Sequence, residues 1–317
     1  MGKIPVGQTI EQAYSFAFGK YFRLLGIVWL PLVVLAAIAH FLFWPHFLEA
    51  ADFIGQIVRN HGRPDTGLVF WAGPFQWLRL FQIVALLVFI VIRVGVTKEA
   101  LGLRSGPPFV YLSIGAAELR VVACYLILFA IAIAAVIVVV IGAIILGLVA
   151  GGAAAGLGAA KFDLHGMAGP GILLLVLLIV ALYCAAIYVF VRLAFLMIPA
   201  TVAESRIGIG RSWELTKGNF WRIFVIVIAV WLPLLILEGI VFSIVAGPVF
   251  AQLVNAAQSG PDAVHAQMAV LFKTMLADMP WFWGIGLLFS PIFFGLTRGP
   301  SAFAYRALVP GEAPASH

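Results

Sequence analysis

Glu238 is the residue best placed to do chemistry, because it is a carboxyl inside a long apolar run, 222–249. An ionisable group at that depth suits proton coupling, ion binding or a buried ion pair. Arg79 enters a second apolar run and His40 stands near the end of a third, so either can approach Glu238 from the same side. A paired or protonated structural carboxyl is the plainer reading, since the chain of intramembrane carboxylates that builds a proton relay is missing. Arg93 and Arg192 lie within a few turns of a run's boundary, and their long stems predict that they snorkel to it. His46-x-x-Glu49-x-x-Asp52 and Asp262-x-x-His265 have the spacing of metal ligands on one helix face. Such scattered groups read as solvated polarity, so no metal and no cofactor is expected.

Catalytic signatures are missing from the rest of the chain. There is no HExxH, no GxxxxGK[ST], no GxSxG and no CxxC. Cys124 and Cys184 both fall inside apolar runs and read as small buried residues. These patterns point away from an enzyme.

The elements that must position these residues are membrane spans. Hydrophobic residues make up 64% of the chain and charged residues only 10%, against roughly a quarter in soluble domains. Six runs reach the roughly 20 apolar residues that a bilayer requires: 22–43, 75–96, 120–149, 171–200, 222–249 and 281–304. Backbone groups in hydrocarbon must be satisfied within their own element, so each run is a helix. The fold class is therefore all-α, a polytopic transmembrane helical bundle in one membrane domain, 1–317. The first run is too long for a cleaved signal, and Val6 breaks the myristoylation pattern.

Six spans leave both termini on one side. Fourteen of the 19 Lys and Arg residues then share the face of the termini, and five take the other. The positive-inside rule makes that face cytoplasmic. The net charge of +6 is thus topological, with some attraction to anionic lipid, and nucleic acid is not an expected partner.

Between spans lies RIGIGRSWELTKGNFW, 206–221, echoed at 10–23 by IEQAYSFAFGKYFR. Sliding by 199 positions aligns Ile10 with Ile209, Tyr14 with Trp213, Gly19 with Gly218 and Arg23 with Arg222. Each copy leads into a span carrying Trp-Leu-Pro, at Pro31 and Pro233, and the paired spans two and six are entered through Trp77 and Trp281. The pattern predicts a parallel repeat of units 4–101 and 205–308. Each copy is expected to be an interfacial amphipathic helix. Thr9 and Gln12 would form a capping box in the first. The second would run over 209–220, with Trp213 and Phe220 on its apolar face. Ser212, Glu214 and Lys217 suggest an active-site loop, but duplication makes an electrostatic docking surface the better reading. Lys20, Arg23, Arg211, Glu214, Lys217 and Arg222 would meet anionic lipid headgroups or another membrane protein. Gly147/Gly151 and Gly152/Gly156 give close-packing spacings in the third run. The outer loops 45–73 and 251–279 contain amphipathic stretches expected to lie on the outer leaflet or cap the bundle.

One resemblance emerges from these residues. Arg192-Leu193, Pro199-Ala200, Glu204 and Arg211-Ser212-Trp213-Glu214-Leu215-Thr216-Lys217-Gly218-Asn219-Phe220-Trp221-Arg222 resemble the signature of the glycerophosphoryl diester phosphodiesterase membrane-domain family. The resemblance is strong over about 185–235. It implies a bacterial inner-membrane protein with six to eight spans, of a family mostly without known function. Some members carry a fused soluble phosphodiesterase. This chain lacks the His-Glu and Glu-x-Asp set of that enzyme, so the resemblance implies no phosphodiesterase activity. The expected role is a non-catalytic scaffold or accessory in envelope or lipid-related processes. The rival is a transporter or channel whose path runs between the two repeat units and reaches Glu238.

Overall fold

The computed structural model describes residues 2–46, 49, 75–104, 109, 111–156 and 170–309. It is 88% helical, and the described residues contain no strand. Among the described residues the α-helices follow in the order α1 Val6–Gly19, α2 Tyr21–Ile38, α3 Phe75–Leu101, α4 Ala116–Gly156, α5 Pro170–Ala194, α6 Met197–Ala203, α7 Ile209–Leu215, α8 Phe220–Ser259 and α9 Pro261–Leu308. A wider π-type turn, Ala39–Phe43, carries α2 onward. Among the described residues five helices are long and apolar enough to cross a membrane: Tyr21–His46, Gln76–Leu101, Ala116–Gly142, Val180–Ala203 and Phe220–Ile244. The sixth apolar run lies within α9. This is a multi-pass helical membrane protein.

The core sits at one end of the bundle. Ile4, Leu24, Ile27, Ile92, Leu196, Met197, Ile223 and Ile226 are all essentially inaccessible there. Residues 2–4, the start of α8 and the end of α9 meet at this end, so both ends of the described chain share it. We call it the terminal face. Small residues set a close helix crossing. Ala13 and Ala17 of α1 lie against Gly295 and Gly299 of α9, where a Cβ on Gly295 would come within 3.0 Å of the Ala17 backbone. Small-xxx-small spacing on both helices lets the backbones approach this closely. The α1 helix is thus a packed part of the bundle, with Thr9, Ala13, Phe16 and Ala17 buried. Its aromatic face keeps Phe18 exposed. Thr9 is interior to α1 and donates to the Pro5 carbonyl at 2.8 Å, so the capping box expected there does not form.

Away from the terminal face the helices separate. Residues 129–141 of α4 are exposed around the whole helix circumference. Apolar side chains in that state suit lipid, where burial against another helix has no hydrophobic driving force. Cys184, on α5, is exposed in the same way rather than buried, whereas Cys124 is enclosed and lies 3.4 Å from the Thr201 hydroxyl.

At about 1.5 Å per residue the 40 residues of α8 span about 60 Å, twice a hydrocarbon core of about 30 Å. The stretch expected as separate outer helices is instead the continuation of α8 and α9, which turn back at Gly260 (φ 115°). Pro261 sits at the first turn of α9, where its missing N–H costs nothing. Pro280 is carried inside the helix without ending it. Gly147, Gly151, Gly152 and Gly156 lie on α4, and most of the outer loop 45–73 lies outside the described residues.

Candidate functional site

Arg192 organises the terminal face. Its Nη2 donates to the Trp213 carbonyl at 2.6 Å, Nη1 to the Tyr188 hydroxyl at 3.1 Å, and Nε lies 3.4 Å from the Thr216 hydroxyl. The guanidinium stands 3.7 Å from the centroid of the Trp213 ring. It is only 6% exposed, so it does not snorkel to water as its position in the run predicts. The reason is tertiary: α7 folds back over the end of α5 and supplies the carbonyl and the aromatic face of Trp213. Ser212 is committed to the same joint, donating to the Arg192 carbonyl at 2.8 Å and accepting from Leu196 N–H at 3.2 Å. Thr216 donates to the Ser212 carbonyl at 2.7 Å.

The helix expected over 209–220 is broken after Leu215. Gly218 adopts φ 77°, the left-handed region that glycine enters without a Cβ penalty. Asn219 then precedes α8, and its side chain reaches across the bundle. Its Oδ1 accepts from Ile4 N–H and its Nδ2 donates to the Gly2 carbonyl, both at 3.1 Å. Arg222 donates to the Ile4 carbonyl at 2.8 Å. These bonds seat Ile4 in the core, a burial worth about 1.5–3 kcal/mol.

Three carboxylates collect six further cations. Glu99 faces Lys20 at 3.7 Å, Arg23 at 3.5 Å and Arg104 at 3.6 Å. Glu118 accepts from Lys98 and the Tyr111 hydroxyl, each at 2.9 Å. Glu204 accepts from Arg206, from Arg211 at 2.9 Å and from the Tyr305 hydroxyl at 3.0 Å. Burial pushes the Glu204 carboxyl upward, but the bonds from Arg211, Arg206 and Tyr305 outweigh it and hold the group below the usual carboxylate range.

A depressed folded-state value has one sign. Its stabilisation is complete above the ordinary carboxylate value and is lost as pH falls through the folded-state value. Acidification below about pH 4 is therefore expected to release the segment around Arg206. An acid-active protease should cut there increasingly as pH falls, and a protease active at neutral pH should cut Glu204→Gln there faster than the wild type. Equal protection of both proteins across that window would refute the clamp.

The expected docking residues thus divide. Arg211 and Arg222 turn inward onto Glu204 and Ile4, and Glu214 pairs with Arg211 at 3.5 Å. Lys20 and Arg23 hold Glu99 only loosely while 46% and 65% exposed, and such pairs contribute little. Lys217 is exposed. These three present charge outward.

The intramembrane group does not converge. Glu238 is exposed on α8, and His40 is exposed beside Phe41 and Trp44. Among the described residues no hydrogen bond or ion pair joins Glu238 to Arg79 or His40. His46 contacts Glu49 at 3.1 Å and stacks on Trp77. Asp52 lies outside the described residues, as do the side chains of Asp262 and His265.

Sequence reasoning missed an open groove of about 960 Å³ at the terminal face. Gln8, Glu11, Gln12 and Ser15 of α1 form one wall, and Arg306 of α9 forms part of the other. The polar residues of α1 recur at helical spacing opposite Ala13 and Ala17, which is the signal that marks this wall. Comparison with protein families, with curated proteins and with solved structures finds no match to this chain.

Proposed function

We propose that the protein is a non-catalytic scaffold or accessory of a bacterial inner membrane, acting in an envelope or lipid-related process, with both termini and the terminal face in the cytoplasm. One observation carries the reading. Ser212, Thr216, Asn219 and Arg222 of the RSWELTKGNFWR segment are engaged in holding α5, α7, α8 and residues 2–4 together, while Lys20 at an open groove and Arg23 and Lys217 beyond it present their charge outward. The resemblance of this segment to the glycerophosphoryl diester phosphodiesterase membrane-domain family supports a membrane role without hydrolysis. The 14-to-5 division of basic residues supports the orientation. The two copies of the helix-then-span pattern, α1 with α2 and α7 with α8, support a duplicated architecture. Anionic headgroups or a second membrane protein are the partners that fit such a face.

Each basic residue near an anionic leaflet contributes about 1 kcal/mol. The triple variant Lys20→Gln, Arg23→Gln, Lys217→Gln should therefore lose most of the anionic lipid or membrane-protein partner that co-purifies with the wild type. Lipid and protein mass spectrometry of the two preparations reads this directly, and identical profiles would count against the proposal. The transporter reading needs an aqueous path to Glu238, whereas that carboxyl stands exposed on α8 and does not line the groove.

A further inference from the structure

Two arginines from separate helices converge inside the bundle. Arg93 of α3 donates from Nη1 to the Tyr125 hydroxyl of α4 at 2.7 Å, with its guanidinium 5.7 Å from the Tyr125 ring. Arg298 of α9 lies beside the same tyrosine and close enough to Arg93 for the two charges to repel. The Nε of each is enclosed and has no hydrogen-bond partner. Among the described residues no carboxylate pairs with either guanidinium.

Other arginines among the described residues are better supplied. At the terminal face Arg104, Lys98 and Arg211 meet Glu99, Glu118 and Glu204, and Arg192 rests on the Trp213 carbonyl, two hydroxyls and an aromatic ring. Arg93 and Arg298 have one tyrosine hydroxyl between them. Two like charges sharing a low-dielectric site are strongly unfavourable unless an anion joins them.

Depth and chemistry identify the anion. Trp77 and Trp281 are exposed near the far ends of their apolar stretches, as interfacial belt residues are. Arg93 and Arg298 follow them by 16 and 17 residues, which is about 25 Å along a helix. A hydrocarbon core of about 30 Å then places both guanidiniums just inside the opposite boundary, beneath the headgroup phosphates. Guanidinium forks bind tetrahedral oxyanions through paired N–H donors. We propose that Arg93, Arg298 and Tyr125 form a binding site for a phosphate group, supplied by a phospholipid headgroup or by free phosphate. The site is separate from the outward cations Lys20, Arg23 and Lys217, so either can fail without the other.

The test uses full-length protein, stripped of lipid in detergent, with short-chain phosphatidylglycerol, the matching diacylglycerol and inorganic phosphate as probes. Native mass spectrometry counts bound lipid, and the thermal midpoint reports binding of each probe. Wild type should bind one phosphatidylglycerol per chain far better than diacylglycerol. Arg93→Gln and Arg298→Gln should each weaken that binding about tenfold or more, as loss of a charge-assisted contact does. Protection by phosphatidylglycerol alone identifies the headgroup as the source; equal protection by inorganic phosphate identifies the free ion. Folded glutamine variants that bind as wild type does, or diacylglycerol binding equal to phosphatidylglycerol, would overturn the site. If the glutamine variants do not fold, the Arg93→Lys, Arg298→Lys pair decides. It should bind several-fold more weakly because lysine lacks the fork, and undiminished binding would reject the assignment.

Discussion

Gly208→Ala should destabilise the protein by about 2–4 kcal/mol, although it adds a single methyl group. Gly208 stands before α7, where the chain turns back onto α6. A Cβ there would lie 2.7 Å from the Met197 carbonyl oxygen, from the Thr201 nitrogen and from the Thr201 hydroxyl. Two of those three atoms are backbone, and α6 cannot retreat, because Met197, Ile198 and Ala200 are packed with almost no accessible surface. The clash also displaces Gly208 N–H from the Thr201 hydroxyl it donates to at 3.1 Å. Gly210 supplies the control two residues on. A Cβ at Gly210 meets nothing within 4 Å, and alanine favours the helix by about 0.5–1 kcal/mol. The thermal midpoint in detergent should fall for Gly208→Ala and hold or rise for Gly210→Ala. Matching midpoints for the two would show that the α6–α7 contact is not tight.

Arg192→Met should cost a similar amount, about 2–4 kcal/mol, while nearly conserving side-chain volume. The variant abandons a 2.6 Å bond to the Trp213 carbonyl and the contact with the Trp213 ring at 3.7 Å. Hydrogen bonds to a charged group contribute about 1.5–3 kcal/mol, and a desolvated cation–π contact about 2 kcal/mol. Removing a buried charge offsets part of that loss. Arg192→Lys should recover little, because an ammonium cannot serve the Trp213 carbonyl and the Tyr188 hydroxyl with a planar fork. Trypsin offers a local readout at exposed Lys217, just beyond the joint that Arg192 holds. Cutting there should accelerate in Arg192→Met and stay near the wild-type rate in Arg206→Met, whose exposed pair with Glu204 contributes about 1 kcal/mol at most. Equal cutting in all three proteins would remove Arg192 from its organising role.

The helices and spans were legible because apolar length is a local property. The run 22–43 becomes the span Tyr21–His46, and 75–96 becomes Gln76–Leu101. The partners of charged residues are a different matter. Nothing local distinguishes Lys217, which faces outward, from Arg222, five positions on, which donates to the Ile4 carbonyl. Arg192 reads as a snorkelling residue until α7 is folded over it. The amphipathic pattern of 209–220 is real, yet Gly218 interrupts the helix by taking a backbone angle that spacing cannot reveal. The α1–α9 crossing does have a sequence signal: Ala13-xxx-Ala17 and Gly295-xxx-Gly299 are small-residue stripes on the two helices. Arg93 and Arg298 each look ordinary alone, and their pairing exists only once α3 and α9 are side by side.

The seat of Ile4 has a consequence for how the protein is made. Its partner Asn219 lies 215 residues later, and a ribosome adding about 5–20 residues per second reaches it roughly 10–40 s after Ile4 is joined to the chain. The face of α1 that receives Gly295 and Gly299 waits longer still. During synthesis the first span must therefore reside in the membrane with its preceding helix undocked, and the terminal face closes only when the last helix arrives. Quality control in the cell has that whole interval in which to inspect the open end.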